Sequence, residues 1–157
     1  MEFDNREAWA KVAQCLVPGY PQVARAVRSG TEDPFDEMRS ALDNLGQSAY
    51  IDWKSDPDDI RRDLKAIQKF PHKFRWSWYP AFIATLQNCD SGEDTVAALE
   101  EIGERCLEIK HALLSLEIDA DGYALTAIHI DRLPFLLDLT AEAGRRFRVI
   151  RRGCWES

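Results

Sequence analysis

The stretch between Leu113 and His129 constrains the fold more than any other part of the chain. Apolar and polar residues alternate along both of its halves, and Asp121-Gly122 stands between them. This pair favours the positive φ angles of a two-residue turn, so the pattern predicts a β-hairpin with two antiparallel strands. The expected register pairs three residues of each strand: Ala120 with Tyr123, Ile118 with Leu125, and Leu116 with Ala127.

This register divides the hairpin into an apolar face and a polar face. Glu117 and Asp119 lie on the polar face, opposite Thr126 and Ala124. Because an antiparallel sheet can be covered on one side only, we expect one side of this sheet to face solvent.

The rest of the chain supplies further strands and several helices. Alternation predicts strands at residues 48–54 and 145–150, in addition to those at 113–119 and 123–129. Helical spacing of apolar residues predicts helices at 5–16, 21–28 and 94–112, and three more that are capped by Asp33, by Ser55 or Asp56, and by Asp131. A length of 157 residues fits one domain. We therefore expect a single α+β domain over residues 1–157, with a mainly antiparallel sheet of four strands packed against helices.

The composition is that of a soluble globular protein, with 45% hydrophobic and 30% charged residues. The acidic N-terminus lacks the apolar core of a signal peptide, and the most apolar run, residues 133–139, is too short to cross a membrane. The four cysteines are scattered without a Cys-x-x-Cys pair, as is typical of free thiols in a reducing compartment. These features predict a cytoplasmic protein with no membrane contact.

Carboxylates cluster at two places where a predicted strand runs into a turn. One group follows the strand at 48–54, and the other lies at the turn of the hairpin. Sites are often built at such positions. The predicted partner-binding residues are these carboxylates and the aromatic residues beside them: Asp52, Trp53, Asp56, Asp58, Asp59, Asp119, Asp121 and Tyr123. The alternative for the group after the first strand is structural, because carboxylates at a helix start commonly cap it and favour its dipole.

Asp52, Asp119 and Asp121 also suggest a metal site or an acid-base cluster, if the two strands are neighbours. The segment Glu117-x-Asp119-x-Asp121-Gly122 resembles the start of a calcium loop, but Ile128 stands where that loop needs a bidentate Glu. The sequence has no nucleophile with a local signature and no glycine-rich phosphate loop. We therefore assign no catalytic residue, metal ligand or cofactor, and a metal-dependent enzyme or small-ligand-binding protein remains the alternative.

Residues 69–79 combine basic and aromatic side chains. That mixture is found in proteins that bind single-stranded nucleic acid, but aromatic residues at this density more often anchor a core or a protein interface. The net charge of −7 opposes nonspecific binding to nucleic acid. We therefore do not expect nucleic acid as a partner.

Two short motifs resemble a family of small bacterial domains of unknown function. They are Ile51-Asp52-Trp53-Lys54 with Asp56 and Asp59, and Asp119-x-Asp121-x-Tyr123-x-Leu125. The resemblance covers residues 40–143 and implies a compact mixed domain without assigned catalytic residues. In that family the residue after the second hairpin aspartate is usually polar, whereas this chain has Gly122.

Together these observations favour a cytosolic protein-binding domain. Small size, acidity and carboxylates at the ends of elements suit an immunity or antitoxin-like inhibitor that presents an acidic surface to a toxin or another basic protein. Such a surface requires the two acidic stretches to meet in the folded protein.

Overall fold

The computed structural model describes residues 5–86, 92–118, 120–144 and 147–155. These residues contain seven α-helices: α1 Arg6–Leu16, α2 Pro21–Ser29, α3 Pro34–Asn44, α4 Pro57–Ala66, α5 Tyr79–Ala84, α6 Glu93–Glu108 and α7 Leu133–Ala143. They also contain a 3-10 helix at Ile130–Arg132 and four strands: β1 Ala49–Asp52, β2 His111–Leu116, β3 Gly122–His129 and β4 Phe147–Val149. All strand pairs are antiparallel, in the order β1-β3-β2-β4, which confirms the predicted α+β fold.

Local chemistry sets the start of two helices as predicted. The Asp33 carboxylate accepts a hydrogen bond from the Asp36 amide at 3.1 Å, and Pro34 is the first residue of α3. The Asp56 carboxylate accepts from the Asp58 amide at 2.9 Å at the start of α4. Each side chain satisfies an amide that has no partner within its helix.

The predicted register of the hairpin is wrong. Leu116 pairs with Ala124, and Leu114 pairs with Thr126, so the two strands are joined by residues 117–121 rather than by a two-residue turn. The first residues of β3 pair instead with β1, where Gly122 faces Asp52. Gly122 has no positive φ; its missing side chain allows close approach, because a Cβ there would lie 2.3 Å from the Tyr50 hydroxyl oxygen.

Both faces of the sheet are covered by helices, which corrects the expectation of a solvent-facing side. Leu114 and Ala124 belong to an apolar cluster with residues of α1, α2, α3 and α7. Leu113 and Leu125 point the other way, into a second cluster with residues of α4, α5 and α6. Thr126, on the same face of β3 as Ala124, is therefore buried, and its hydroxyl donates to the Gln47 carbonyl at 2.8 Å.

Several element ends differ from those predicted. Helix α6 ends at Glu108, not at residue 112, and Lys110 takes a φ of 66° just before β2. Asp131 does not cap α7: it lies in the 3-10 helix, and its amide donates to Nδ1 of His129 at 3.2 Å. Gly144 ends α7 in the left-handed conformation, as expected. No helix in the described part of the chain is both long and apolar enough to span a membrane.

Candidate functional site

The two acidic stretches meet at one end of the sheet. Asp52, the last residue of β1, is the pairing partner of Gly122, the first residue of β3. One residue further along, the Trp53 amide donates to the Asp121 carbonyl at 3.2 Å. Antiparallel pairing therefore brings Asp52, Trp53 and Asp121 together, although three helices and β2 lie between β1 and β3 in the sequence. Asp119 lies outside the described residues.

The residues at the end of β1 are open to solvent. Asp52 is exposed, and its Oδ1 accepts a hydrogen bond from the Lys54 amide at 3.1 Å, which tightens the turn after the strand. Trp53 is 41% exposed, and the Lys54 ammonium lies 4.6 Å from the centre of a Trp53 ring. The indole also packs close to Gly92, where a Cβ would lie 2.9 Å from a ring carbon. Trp53 thus presents a packed but accessible aromatic ring beside exposed carboxylates.

The carboxylates of the first turn of α4 have local partners. Asp56 caps the helix, so the structural alternative is correct for this residue. Asp58 lies 3.6 Å from Arg61, and Asp59 lies 2.8 Å from Arg62, each one turn along the helix. These pairs lower the net negative charge of the turn, but exposed helical pairs of this kind are weak and can be exchanged for a partner's groups.

Tyr123 is half-buried rather than fully exposed. Its ring centre lies 5.3 Å from that of Trp155, and burial raises the pKa of its hydroxyl. The residue therefore supports the start of β3 from inside the second apolar cluster. Its contribution to an outer surface is limited to the part of the ring that remains accessible.

Arg148 and Arg152 pair with glutamates and not with Asp52 or Asp121. Arg148 lies 3.2 Å from Glu117, so opposite charges meet beside the hairpin. Arg152 makes two hydrogen bonds, of 2.9 and 3.0 Å, to the buried carboxylate of Glu101 on α6. These bonds, with another from Arg105, hold the pKa of Glu101 below its ordinary value. The pairing of Glu101 with Arg152 could not be predicted from sequence, because the two residues are 51 positions apart.

The aromatic segment that follows α4 forms a packed cluster. Phe74 and Tyr79 are buried, and the rings of Trp76 and Trp78 stack with their centres 6.5 Å apart. The Arg105 guanidinium lies 4.0 Å from the centre of a Trp78 ring, so the outer indole carries a cation. The segment is therefore largely core, with one edge at the surface.

No three histidine, cysteine or acidic side chains among the described residues lie close enough together to hold a metal ion. Asp52 and Asp121 belong to the proposed alternative site, but its third member, Asp119, falls outside the part of the chain that the structure describes. We call the surface formed by Asp52, Trp53, Asp58, Asp59 and Asp121 the acidic end of the sheet.

Comparisons with known proteins place the chain in a family without giving it an activity. No curated protein and no solved structure matches it. A family model described as a domain of unknown function, DUF6630, matches residues 3–150. This match is longer than the region of resemblance that the two motifs indicate, and it agrees with the expected absence of an assigned activity in the family. Since the match spans nearly the whole sequence, the chain belongs to the DUF6630 family of domains of unknown function.

Proposed function

We propose that this protein is a cytosolic binding protein whose acidic end of the sheet docks on a basic partner, in the manner of a bacterial immunity or antitoxin-like inhibitor. The observation that carries the proposal is the pairing of β1 with β3, which joins Asp52 and Trp53 to Asp121 at one exposed edge. The pairing adds the exposed Asp121 of the hairpin to the carboxylates and the accessible indole that follow β1.

The charges support fast and selective association with a basic protein. The chain carries a net charge of −7, and Asp58 adds a carboxylate that is 83% exposed. Complementary charge raises the association rate and disfavours partners of the same sign. Because the Debye length is about 8 Å at physiological ionic strength, this attraction is expected to weaken as salt is added.

Trp53 supports the same proposal through its apolar area. Interfaces depend on a few large anchors, and tryptophan is enriched among them. The indole packs against Gly92, the N-cap of α6, and this contact restricts the rotamers that the side chain can adopt. A preordered anchor loses less side-chain entropy when a partner covers it.

The experiment is to co-express this protein with each neighbouring gene and to test whether the gene product is captured with it. The association rate is then measured for each captured protein. A double variant, Asp52→Asn with Asp121→Asn, removes two charges while keeping an oxygen that can accept from the Lys54 amide. We expect roughly tenfold slower association, as expected for the loss of electrostatic steering. Trp53→Ala is expected to speed dissociation.

The matched control is the double variant Glu108→Gln with Asp138→Asn, which removes the same number of charges from exposed positions on α6 and α7. This control should retain the wild-type rates within about twofold. If both double variants behave alike, the acidic end of the sheet is not the docking surface. If no neighbouring gene product binds or is neutralised, the inhibitor role is wrong.

A further inference from the structure

A second group of polar side chains lies at the opposite end of the sheet from the acidic end. A cavity of about 180 Å³ opens where β2 begins and β3 ends. Its polar lining comes from Tyr20, Gln47, Lys69, His111, His129 and Arg132. The seven-residue rise from Gly122 to His129 separates this cavity from the acidic end by about 23 Å along β3.

Lys69 is half-buried in the wall of this cavity. Its ammonium donates to the Leu16 carbonyl at 2.6 Å, at the end of α1. Loss of hydration, together with the positive charge of the nearby Arg132, lowers its pKa to about 7. An anion that enters the cavity would lower the free energy of an ammonium held in this way.

Arg132 supplies a second cation to the same cavity. One guanidinium nitrogen donates to the Cys15 carbonyl at 3.1 Å, and the remaining donors of its fork are available for other acceptors. Within the described residues neither Lys69 nor Arg132 forms a salt bridge. The cavity thus has two cationic side chains whose hydrogen-bond partners are neutral carbonyls, and an anion that enters it can form charge-assisted hydrogen bonds with both.

Two histidines complete the polar wall. His111 and His129 are pairing partners at the ends of β2 and β3, and their ring centres lie 5.1 Å apart. Nδ1 of each ring is engaged by backbone, His111 with the Ile109 carbonyl at 3.0 Å and His129 with the Asp131 amide at 3.2 Å. These bonds fix the ring orientations and add further polar groups beside the two cations.

We propose that this cavity binds the carboxylate or phosphate group of a small anionic ligand, with Lys69 and Arg132 as the residues that hold the anion. Arginine and lysine are the usual donors to such oxyanions, since their hydrogen bonds are charge-assisted. The cavity is smaller than the 300–1,000 Å³ typical of drug-sized ligands, so the ligand is a small molecule or one end of a larger one. The proposal does not depend on the acidic surface, which lies at the other end of the sheet.

The test is titration of the full chain with inorganic phosphate and, separately, with acetate, at a slightly acid pH where Lys69 is protonated. Binding is followed by calorimetry and by backbone amide NMR signals. We expect saturable binding of at least one anion, with signal changes at Lys69, His111 and Arg132. A preference for phosphate would indicate a phosphorylated ligand, and a preference for acetate would indicate a carboxylic acid; both outcomes support the site.

Variants then identify the residues that hold the anion. Lys69→Met keeps the side-chain length and removes a charge that is costly to bury, so the variant is expected to remain folded. Lys69→Met and Arg132→Gln should each weaken binding roughly tenfold or more, as expected for loss of one charge-assisted hydrogen bond. The matched controls Lys65→Met and Arg25→Gln change exposed residues on α4 and α2 and should bind normally.

Two results would overturn the assignment. One is the absence of a saturable response to either anion in folded wild-type protein. The other is a response that persists unchanged in Lys69→Met and Arg132→Gln, because binding would then occur elsewhere. Far-ultraviolet circular dichroism of each variant separates loss of binding from loss of folding.

Discussion

Lys69 shows how its surroundings change the chemistry of a single side chain. The residue is half-buried between the end of α1 and the sheet, and its ammonium has a carbonyl partner rather than a carboxylate. Charged groups that face it are Arg132 and, when ionised, Cys15, and His111 and His129 line the same cavity. The partial burial of Lys69 could not be predicted, because a lysine that follows a helix is ordinarily a solvated surface residue.

The pKa of Lys69 predicts a pH dependence of stability. In the unfolded chain the ordinary value is 10.5, whereas in the folded protein it is about 7. Between these values the unfolded state binds more protons, so the free energy of unfolding should rise as pH increases from 7 and should lose this contribution as pH falls back to 7. Urea denaturation across this range, under reducing conditions, measures the slope.

Lys69→Met should flatten this slope, and Lys65→Met should leave it as in the wild type. An equal slope in all three proteins would show that Lys69 remains solvated and keeps an ordinary pKa in the folded state.

At the scale of elements, the pairing of β1 with β3 decides the geometry of the hairpin. The helix starts at Asp33 and Asp56 could be predicted, because capping depends on residues two or three positions apart. The strand register could not be predicted from the hairpin alone, because Gly122 serves the contact with β1, whose residues lie far away in sequence. The same non-local pairing brings Asp52 next to Asp121. The meeting of the two acidic stretches therefore could not be deduced from either stretch alone.

Gly122→Ala tests that pairing. A Cβ at this position would lie 2.3 Å from the Tyr50 hydroxyl oxygen and 2.7 Å from the Ile51 carbonyl oxygen. The tyrosine ring is 48% exposed and can move, but the carbonyl belongs to the paired backbone. We expect the free energy of unfolding to fall by about 1–3 kcal/mol, measured by urea denaturation.

Gly19→Ala is the matched control, because no atom lies within 4 Å of a Cβ at that position. It should change stability by less than about 0.5 kcal/mol. Equal stability of Gly122→Ala and wild type would contradict the close approach of β1 and β3 at this glycine.

At the scale of the whole molecule, the C-terminal residues close the second apolar cluster against α6. Ile150 is buried in that cluster, and Arg152 bonds to Glu101. Gly103 permits this contact, since a Cβ there would lie 2.1 Å from the Ile150 carbonyl oxygen. None of these contacts could be predicted from sequence, because the alternation at residues 147–149 indicates a strand but not the helix on which it rests.

Gly103→Ala distinguishes local from tertiary effects. Helix propensity alone predicts a gain of up to about 1 kcal/mol in the middle of α6. We expect a net loss of about 1–3 kcal/mol instead, because the new methyl group displaces the Ile150 backbone. Hydrogen exchange should accelerate at residues 147–150, and a stabilised variant with unchanged exchange would show that this docking is absent.

The order of the strands has a consequence for how copies of the protein behave at high concentration. The two outermost strands of the described sheet are short, with four residues in β1 and three in β4. Few main-chain amides and carbonyls are therefore left open to recruit a strand from a neighbouring molecule. The protein should resist aggregation by intermolecular sheet extension while it remains folded.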